Sequence, residues 1–235
     1  MDRLAESDLC PFPEYMKNRA DTLSTAYDSG FTLTPGSLEV ICGPMFSGKS
    51  EELMRRLRRA AIAYGSKPSP SSDPHANEPV LAFKHGSDDR HGVENVRSHD
   101  GTTFSALPTT SVIEILGCYY RPHCQVVGID EVQFFPPEIV TAVCMLVHAG
   151  KKVIVAGLDM DFRGLPFGPM STLLAIADSV SKLSAICTQC GKDAPMTQRL
   201  VNGAPVRFDD PVVLVGEDEY QARCRACHKI GKSSS

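Results

Sequence analysis

The run Gly43-Pro44-Met45-Phe46-Ser47-Gly48-Lys49-Ser50 matches GxxxxGK[ST] and lies between an apolar stretch, Leu38 to Cys42, and a helical pattern from Gly48 to about Tyr64. Few short sequences restrict a fold as strongly. The two glycines permit a tight turn whose N–H groups converge on phosphate oxygens, and the following helix points its positive end at the same anion. Lys49 is then placed to reach β and γ phosphates, and the Ser50 hydroxyl to ligate a Mg²⁺ that bridges them. The competing reading, a chance glycine-rich turn, does not explain why a strand pattern precedes it and a helix pattern follows.

Such a loop needs a sheet to hold it. Four apolar runs read as buried strands: Leu38 to Cys42, Val80 to Phe83, Gln125 to Ile129 and Lys152 to Ala156. Helical patterns run from Gly48 to about Tyr64 and from roughly Pro137 to Ala149, the second stopped by Gly150. Alternation of strands with helices predicts an α/β fold with a mainly parallel sheet and ligands at the carboxyl ends of its strands. In the first helix, Leu53, Leu57, Ala60, Ala61 and Tyr64 mark the buried face, leaving Arg55, Arg56, Arg58 and Arg59 as a solvated one.

Composition narrows the class. A formal charge of −4 and a pI near 6.0 lack the global basic footprint of a protein that grips nucleic-acid backbones. The first 36 residues carry Asp2, Glu6, Asp8, Glu14, Asp21 and Asp28 and fit no targeting pattern, and no apolar run is long enough for a membrane span. A cytoplasmic protein is expected. Nine cysteines in 235 residues are too few and too uneven for a disulfide scaffold, and their spacing suits metal ligands instead. Cys187-x-x-Cys190 and Cys224-x-x-Cys227, with 33 residues between them, form two knuckles suited to a structural tetrahedral Zn²⁺. His228 is a substitute ligand, while Cys10, Cys42, Cys118, Cys124 and Cys144 lack partners in this pattern and mostly read as core.

Two further constellations carry chemistry. The run Val126-Val127-Gly128-Ile129 ends in Asp130-Glu131, as a Walker B strand does, making Asp130 a Mg²⁺ holder and freeing Glu131 for acid–base work. Adjacent strand residues face opposite sides, so the two carboxylates need not share a role. Glu131 suits either activation of water or removal of a proton from a substrate hydroxyl. Phe134, Phe135, Phe162 and Phe167 gather near the ends of two strands, and aromatic faces can sandwich a nucleobase; each alone also fits core packing.

These residues resemble the zinc-containing cytosolic thymidine kinase family, more closely its bacterial-type members. The likeness spans about Ser37 to Lys229. It rests on GPMFSGKS, Asp88-Asp89-Arg90, Asp130-Glu131-Val132-Gln133-Phe134-Phe135, Leu158-Asp159-Met160-Asp161-Phe162-Arg163-Gly164, Pro166-Phe167-Gly168, Thr197-Gln198-Arg199-Leu200 and the four cysteines, all in the family's order. The resemblance implies a P-loop (RecA-like) α/β fold, a mainly parallel sheet flanked by helices, with a small C-terminal zinc-binding lasso module. It implies transfer of the ATP γ-phosphoryl group, with Mg²⁺, to the 5′-hydroxyl of thymidine, with deoxyuridine a secondary acceptor. By carry-over Glu131 is the base, while Gly43 to Ser50, Asp88, Asp89, Arg90, Asp130 and Gln133 serve ATP and metal, and Arg163 helps neutralise phosphate charge. Phe134, Leu158, Phe162, Phe167, Thr197, Pro211, Val212, Val213, Leu214, Val215 and Tyr220 contact the nucleoside, with Met45 near the base. Cys187, Cys190, Cys224 and Cys227 hold the zinc that clips the lasso.

The expected organisation is an N-terminal extension over 1–36, expected to be flexible, a kinase domain over 37–186, a lasso module over 187–229 and a tail over 230–235. Residues 66–79, rich in serine and proline, read as an exposed insertion. This insertion and the extension have no counterpart in compact members, and Glu217 and Asp218 add acidity to the lasso arm. The family likeness further implies a homotetramer and feedback by thymidine triphosphate, without nucleic-acid or membrane partners. A reading from another class is a zinc-containing P-loop ATPase acting on nucleic acid, with Glu131 activating water; a third is a non-catalytic nucleotide-binding protein, against which Lys49, Ser50, Asp130 and Glu131 stand intact.

Overall fold

In the computed structural model the described residues are 35–65, 75, 77–86, 95–97, 103–212 and 219–232. The extension up to residue 34, most of the 66–79 insertion, Asp88 to Arg90, Val213 to Val215, Glu217, Asp218 and Cys10 lie outside them. The residues from Gly36 onward form one compact unit.

Six strands form a sheet in the order β5 (Leu107–Thr109), β2 (Val80–His85), β6 (Val126–Asp130), β7 (Lys152–Gly157), β1 (Ser37–Cys42) and β8 (Ser179–Lys182). Every pairing in it is parallel. Parallel strands covered on both faces need apolar residues at successive positions, and the chain supplies them. Val40, Cys42, Leu81, Phe83, Val127, Ile129, Val153 and Val155 pack one face together with α3 (Glu138–His148), through Ile139, Val143 and Leu146. Their neighbours in sequence, Ile41, Val80, Ala82, Val126, Ile154 and Ala156, point the other way onto Leu53, Met54 and Leu57 of α1 (Lys49–Tyr64). The short α2 (Val112–Leu116) and α4 (Met170–Ile176) add Ile115 and Leu173 to the first face.

All four expected strands and both expected helices are present, with ends shifted by one or two residues. The edge strands β5 and β8 were not expected, because three residues containing Pro108 and the exposed run Ser179-Val180-Ser181-Lys182 carry little hydrophobic signal. The amphipathic reading of α1 needs correction at three points. Tyr64 is half exposed and Met54 takes a core place, while Arg56 is mostly covered, bonding Glu52, Glu39 and Ser181 rather than water alone.

Beyond β8 the chain forms small antiparallel sheets. β9 (Ala185–Ile186) pairs with β10 (Asp193–Ala194), and β11 (Met196–Val201) lies between β12 (Ala204–Pro205) and β13 (Glu219–Arg223). A further antiparallel pair joins β3 (Asn95–Arg97) and β4 (Thr103–Ser105). Among the described residues no helix is long and apolar enough to cross a membrane.

Candidate active site

The sheet order places β7 between β6 and β1, so the loops after β1, β6 and β7 stand side by side at the carboxyl edge. Strand spacing of about 4.8 Å puts the ends of β1 and β6 about 10 Å apart, a width suited to a polyphosphate with its metal. The loop after β1 is wound tightly: Gly43 has φ 146° and Phe46 takes a left-handed φ of 66°. Ser47 Oγ donates to Pro44 O at 2.8 Å, and the buried Lys49 ammonium donates to the same oxygen at 2.7 Å. Burial lowers the Lys49 pKa, while the charges of Glu131, Asp130 and Asp159 act to raise it. One ammonium thus faces three carboxylates, a balance that a metal–phosphate group would alter strongly.

Asp130 closes β6 fully buried, accepting hydrogen bonds from the Ser50 hydroxyl and the Glu131 N–H. Burial first, and then the neighbouring Glu131 charge, push its pKa up to about 7. A buried carboxylate touching the phosphate-loop serine and held reluctantly in its charged form fits a hard divalent cation, so this donor set suits Mg²⁺.

Glu131 departs from the expected strand geometry. It has φ 52° and ψ 40°, a left-handed conformation that costs a residue with a Cβ about 1 kcal/mol or more, so its carboxylate does not simply alternate with Asp130. The charges of both residues instead reach Lys49. The Glu131 carboxylate is fixed by Gln133, whose Nε2 donates to Oε2 at 2.5 Å while its Oε1 accepts the Leu158 N–H at 3.0 Å. Gln133 is 2% exposed, and it can reach across to β7 because Gly157 has no Cβ; one there would lie 2.5 Å from Gln133 Oε1. Nothing in the spacing of Asp130-Glu131 announces this clamp.

The four phenylalanines divide. Phe134 and Phe167 meet edge to face with centroids 5.7 Å apart, and His85 from the end of β2 joins them, 5.8 Å from Phe134. Phe135 is core, beneath His85. Phe162 is buried with the guanidinium of Arg199 5.5 Å and that of Arg163 5.8 Å from its ring centre. Arg163 also forms a 2.6 Å ion pair with Asp161, which pins the turn Asp161 to Leu165 through the N–H groups of both Arg163 and Leu165.

β11 ties the two halves of the site together. Thr197 Oγ1 accepts the Met45 N–H at 3.1 Å, bringing together the two residues expected near the base. Arg199, 1% exposed, donates from Nη1 to Pro211 O at 2.5 Å and lies opposite Tyr220 in the strand register. Leu158 is half-buried beside Gln133, Val212 is the last described residue of that arm, and its continuation from Val213 lies outside the described residues.

The ligand atoms of Cys187, Cys190, Cys224 and Cys227 all lie within 4.8 Å of one another, with Cys190 and Cys224 Sγ 3.6 Å apart. Tetrahedral zinc with Zn–S near 2.3 Å requires sulfurs about 3.8 Å apart, so the quartet fits the ion. Burial raises the Cys187 thiol, but N–H groups of Cys224, Gln189 and Cys190 outweigh it and bring the thiol down to about 6. His228 is not a fifth candidate: its Nε2 meets Phe162 O at 2.8 Å, tying the second knuckle to the loop after β7. Cys42, Cys118 and Cys124 are buried and Cys144 half-buried, as core cysteines should be.

Sequence reasoning gave no role to Asp159, His85, Lys182 or Arg199. Asp159 and Arg199 sit inside quoted motifs, whereas His85 and Lys182 end strands whose carboxyl edges become visible only once the strand order is known. Compared with known protein families, residues 36–228 match the family model described as thymidine kinase, well over half of the chain.

Proposed function

The chain belongs to the thymidine kinase family, whose members are nucleotide-binding phosphotransferases acting on thymidine, and from this premise we propose the donor, the acceptor atom and the residues that serve them. The donor is ATP, its phosphates held by Gly43 to Ser50 with Asp88, Asp89 and Arg90, and the acceptor is the thymidine 5′-hydroxyl. Glu131 takes the hydroxyl proton as the oxygen attacks the γ phosphorus. The observation that carries this reading is the clamp on Glu131: a left-handed backbone and a buried Gln133 amide fix its carboxylate at the end of the Asp130 strand, beside the phosphate loop. When bound, Mg²⁺ held by Ser50 and Asp130 neutralises charge on the phosphates.

Phe134 and Phe167 supply aromatic walls for the thymine, Phe162 backs them, and Leu158, Thr197 and Met45 face the base. Pro211 to Val215 present backbone groups to its polar edge, and Tyr220 meets the deoxyribose. A site built to pair thymine's acceptor would reject cytosine, whose exocyclic amine leaves buried groups unpaired. Zinc on the four cysteines is structural and clips the lasso over 187–229 to the kinase domain over 37–186, in keeping with the bacterial type. A homotetramer in the cytoplasm, with thymidine triphosphate as feedback inhibitor and deoxyuridine as secondary acceptor, completes the proposal.

A panel of deoxynucleosides offered with MgATP to the zinc-loaded protein tests it. Thymidine should yield its monophosphate and ADP in equal amounts, deoxyuridine less, and deoxycytidine none. Equal turnover of deoxycytidine would remove the assigned base-reading edge.

A further inference from the structure

Asp159 follows β7 at the point where the sheet order puts it between the Asp130 strand and the phosphate-loop strand. It is 5% exposed, and among the described residues neither of its carboxylate oxygens meets hydrogen-bond geometry. Its Oδ2 lies 2.8 Å from Nζ of Lys182, the last residue of β8, so the two are held as an ion pair. Lys182 pairs in register with Cys42, the residue immediately before the phosphate loop, and the Leu183 N–H donates to Cys42 O at 2.7 Å. The chain leaving β8 therefore crosses the start of the loop so closely that a Cβ at Gly43 would stand 2.4 Å from Leu183 O.

We propose that Lys182, held beside the phosphate loop by the buried carboxylate of Asp159, is a second polyphosphate-binding cation of the donor site, with Asp159 its positioning residue. An ion pair of this kind adds little to stability by itself, since desolvation offsets most of the attraction. Its geometry serves recognition better. The Lys182 side chain is 57% exposed while Asp159 is covered, so the ammonium is anchored by a buried charge and still open to a ligand from solvent. The charge of Asp159 also acts on Lys49 and Cys42, so the carboxylate belongs to the electrostatics of the phosphate loop. Lys49 within the phosphate loop and Lys182 beside its start together offer two ammoniums to a multiply charged phosphate chain.

The inference rests on the loop being the donor nucleotide site, and its test separates the two. Lys182→Ala should raise KM for MgATP about tenfold and leave KM for thymidine within about twofold, while Lys182→Arg keeps KM near wild type. Asp159→Asn should raise KM for MgATP about threefold, and the double variant should be no worse than Lys182→Ala, because Asp159 acts through the lysine. The rise should shrink as salt is added. Calorimetric binding of MgADP gives the second readout. If wild type binds no MgADP, the donor-site reading itself fails. If wild type and Lys182→Ala bind it equally, or if the variant melts lower with both KM values moved together, the pair is only a structural ion pair and the inference is overturned.

Discussion

Replacing Asp130 by Asn should make the protein without divalent cation more stable at pH 8 while abolishing turnover. Asp130 is fully buried, and its pKa stands at about 7 against an ordinary value of 3.8. Between those values the folded state holds a proton that the unfolded chain has released, so stability falls as pH rises through this window and the deficit is complete above about 7. Three units at 1.36 kcal/mol each set an upper bound of about 4 kcal/mol. The Ser50 and Glu131 hydrogen bonds to the carboxylate weaken on substitution, leaving a net gain of about 1–2 kcal/mol. For a domain of this size that is a rise in Tm of about 3–6 °C at pH 8, falling to zero at about pH 6 and changing sign below it. Thermal melts across pH in a chelating buffer check it, and adding Mg²⁺ with nucleotide should reverse the order, since only wild type keeps the ligand. A variant that melts below wild type at pH 8 without divalent cation would refute the reasoning, because Asp130 would then be a net stabilising anion.

Three further outcomes are expected. Gln133→Leu removes the donor to Glu131 and the acceptor of Leu158, so kcat should fall about 10- to 100-fold; an unaltered kcat would show that the clamp is idle. Stripping zinc with a strong chelator should lower Tm and raise KM for thymidine far more than it weakens MgADP binding, as equilibrium dialysis and steady-state kinetics would report. Thr197→Val deletes the acceptor of the Met45 N–H, which should raise KM for both substrates a few-fold; an effect confined to thymidine would detach Thr197 from the phosphate loop.

Much of the core was legible because a parallel sheet buried on both faces demands continuous apolar runs, and β1, β2, β6 and β7 supply them. Edge strands escaped since β8, mostly exposed, has no such demand and β5 is three residues long. In the site, the phosphate loop and the cysteine quartet could be read from spacing, because each motif is local and its geometry follows from few residues. What spacing could not give were contacts that cross the fold: Gln133 to Leu158, Thr197 to Met45, Arg199 to Pro211 and Asp159 to Lys182 join residues brought together only by strand order. The left-handed Glu131 was likewise invisible, as an Asp-Glu pair after an apolar run reads most simply as continued strand.

Glu131→Gln measures the central claim most directly, that a clamped carboxylate removes the proton from the nucleoside hydroxyl. The side chain keeps its size and one acceptor oxygen but cannot take the proton, so MgADP and thymidine should bind within about threefold of wild type. Single-turnover phosphorylation should slow by about 10²- to 10⁴-fold. A variant that binds both ligands and phosphorylates thymidine at close to the wild-type rate would contradict the account and return the search for the base to the rest of the site.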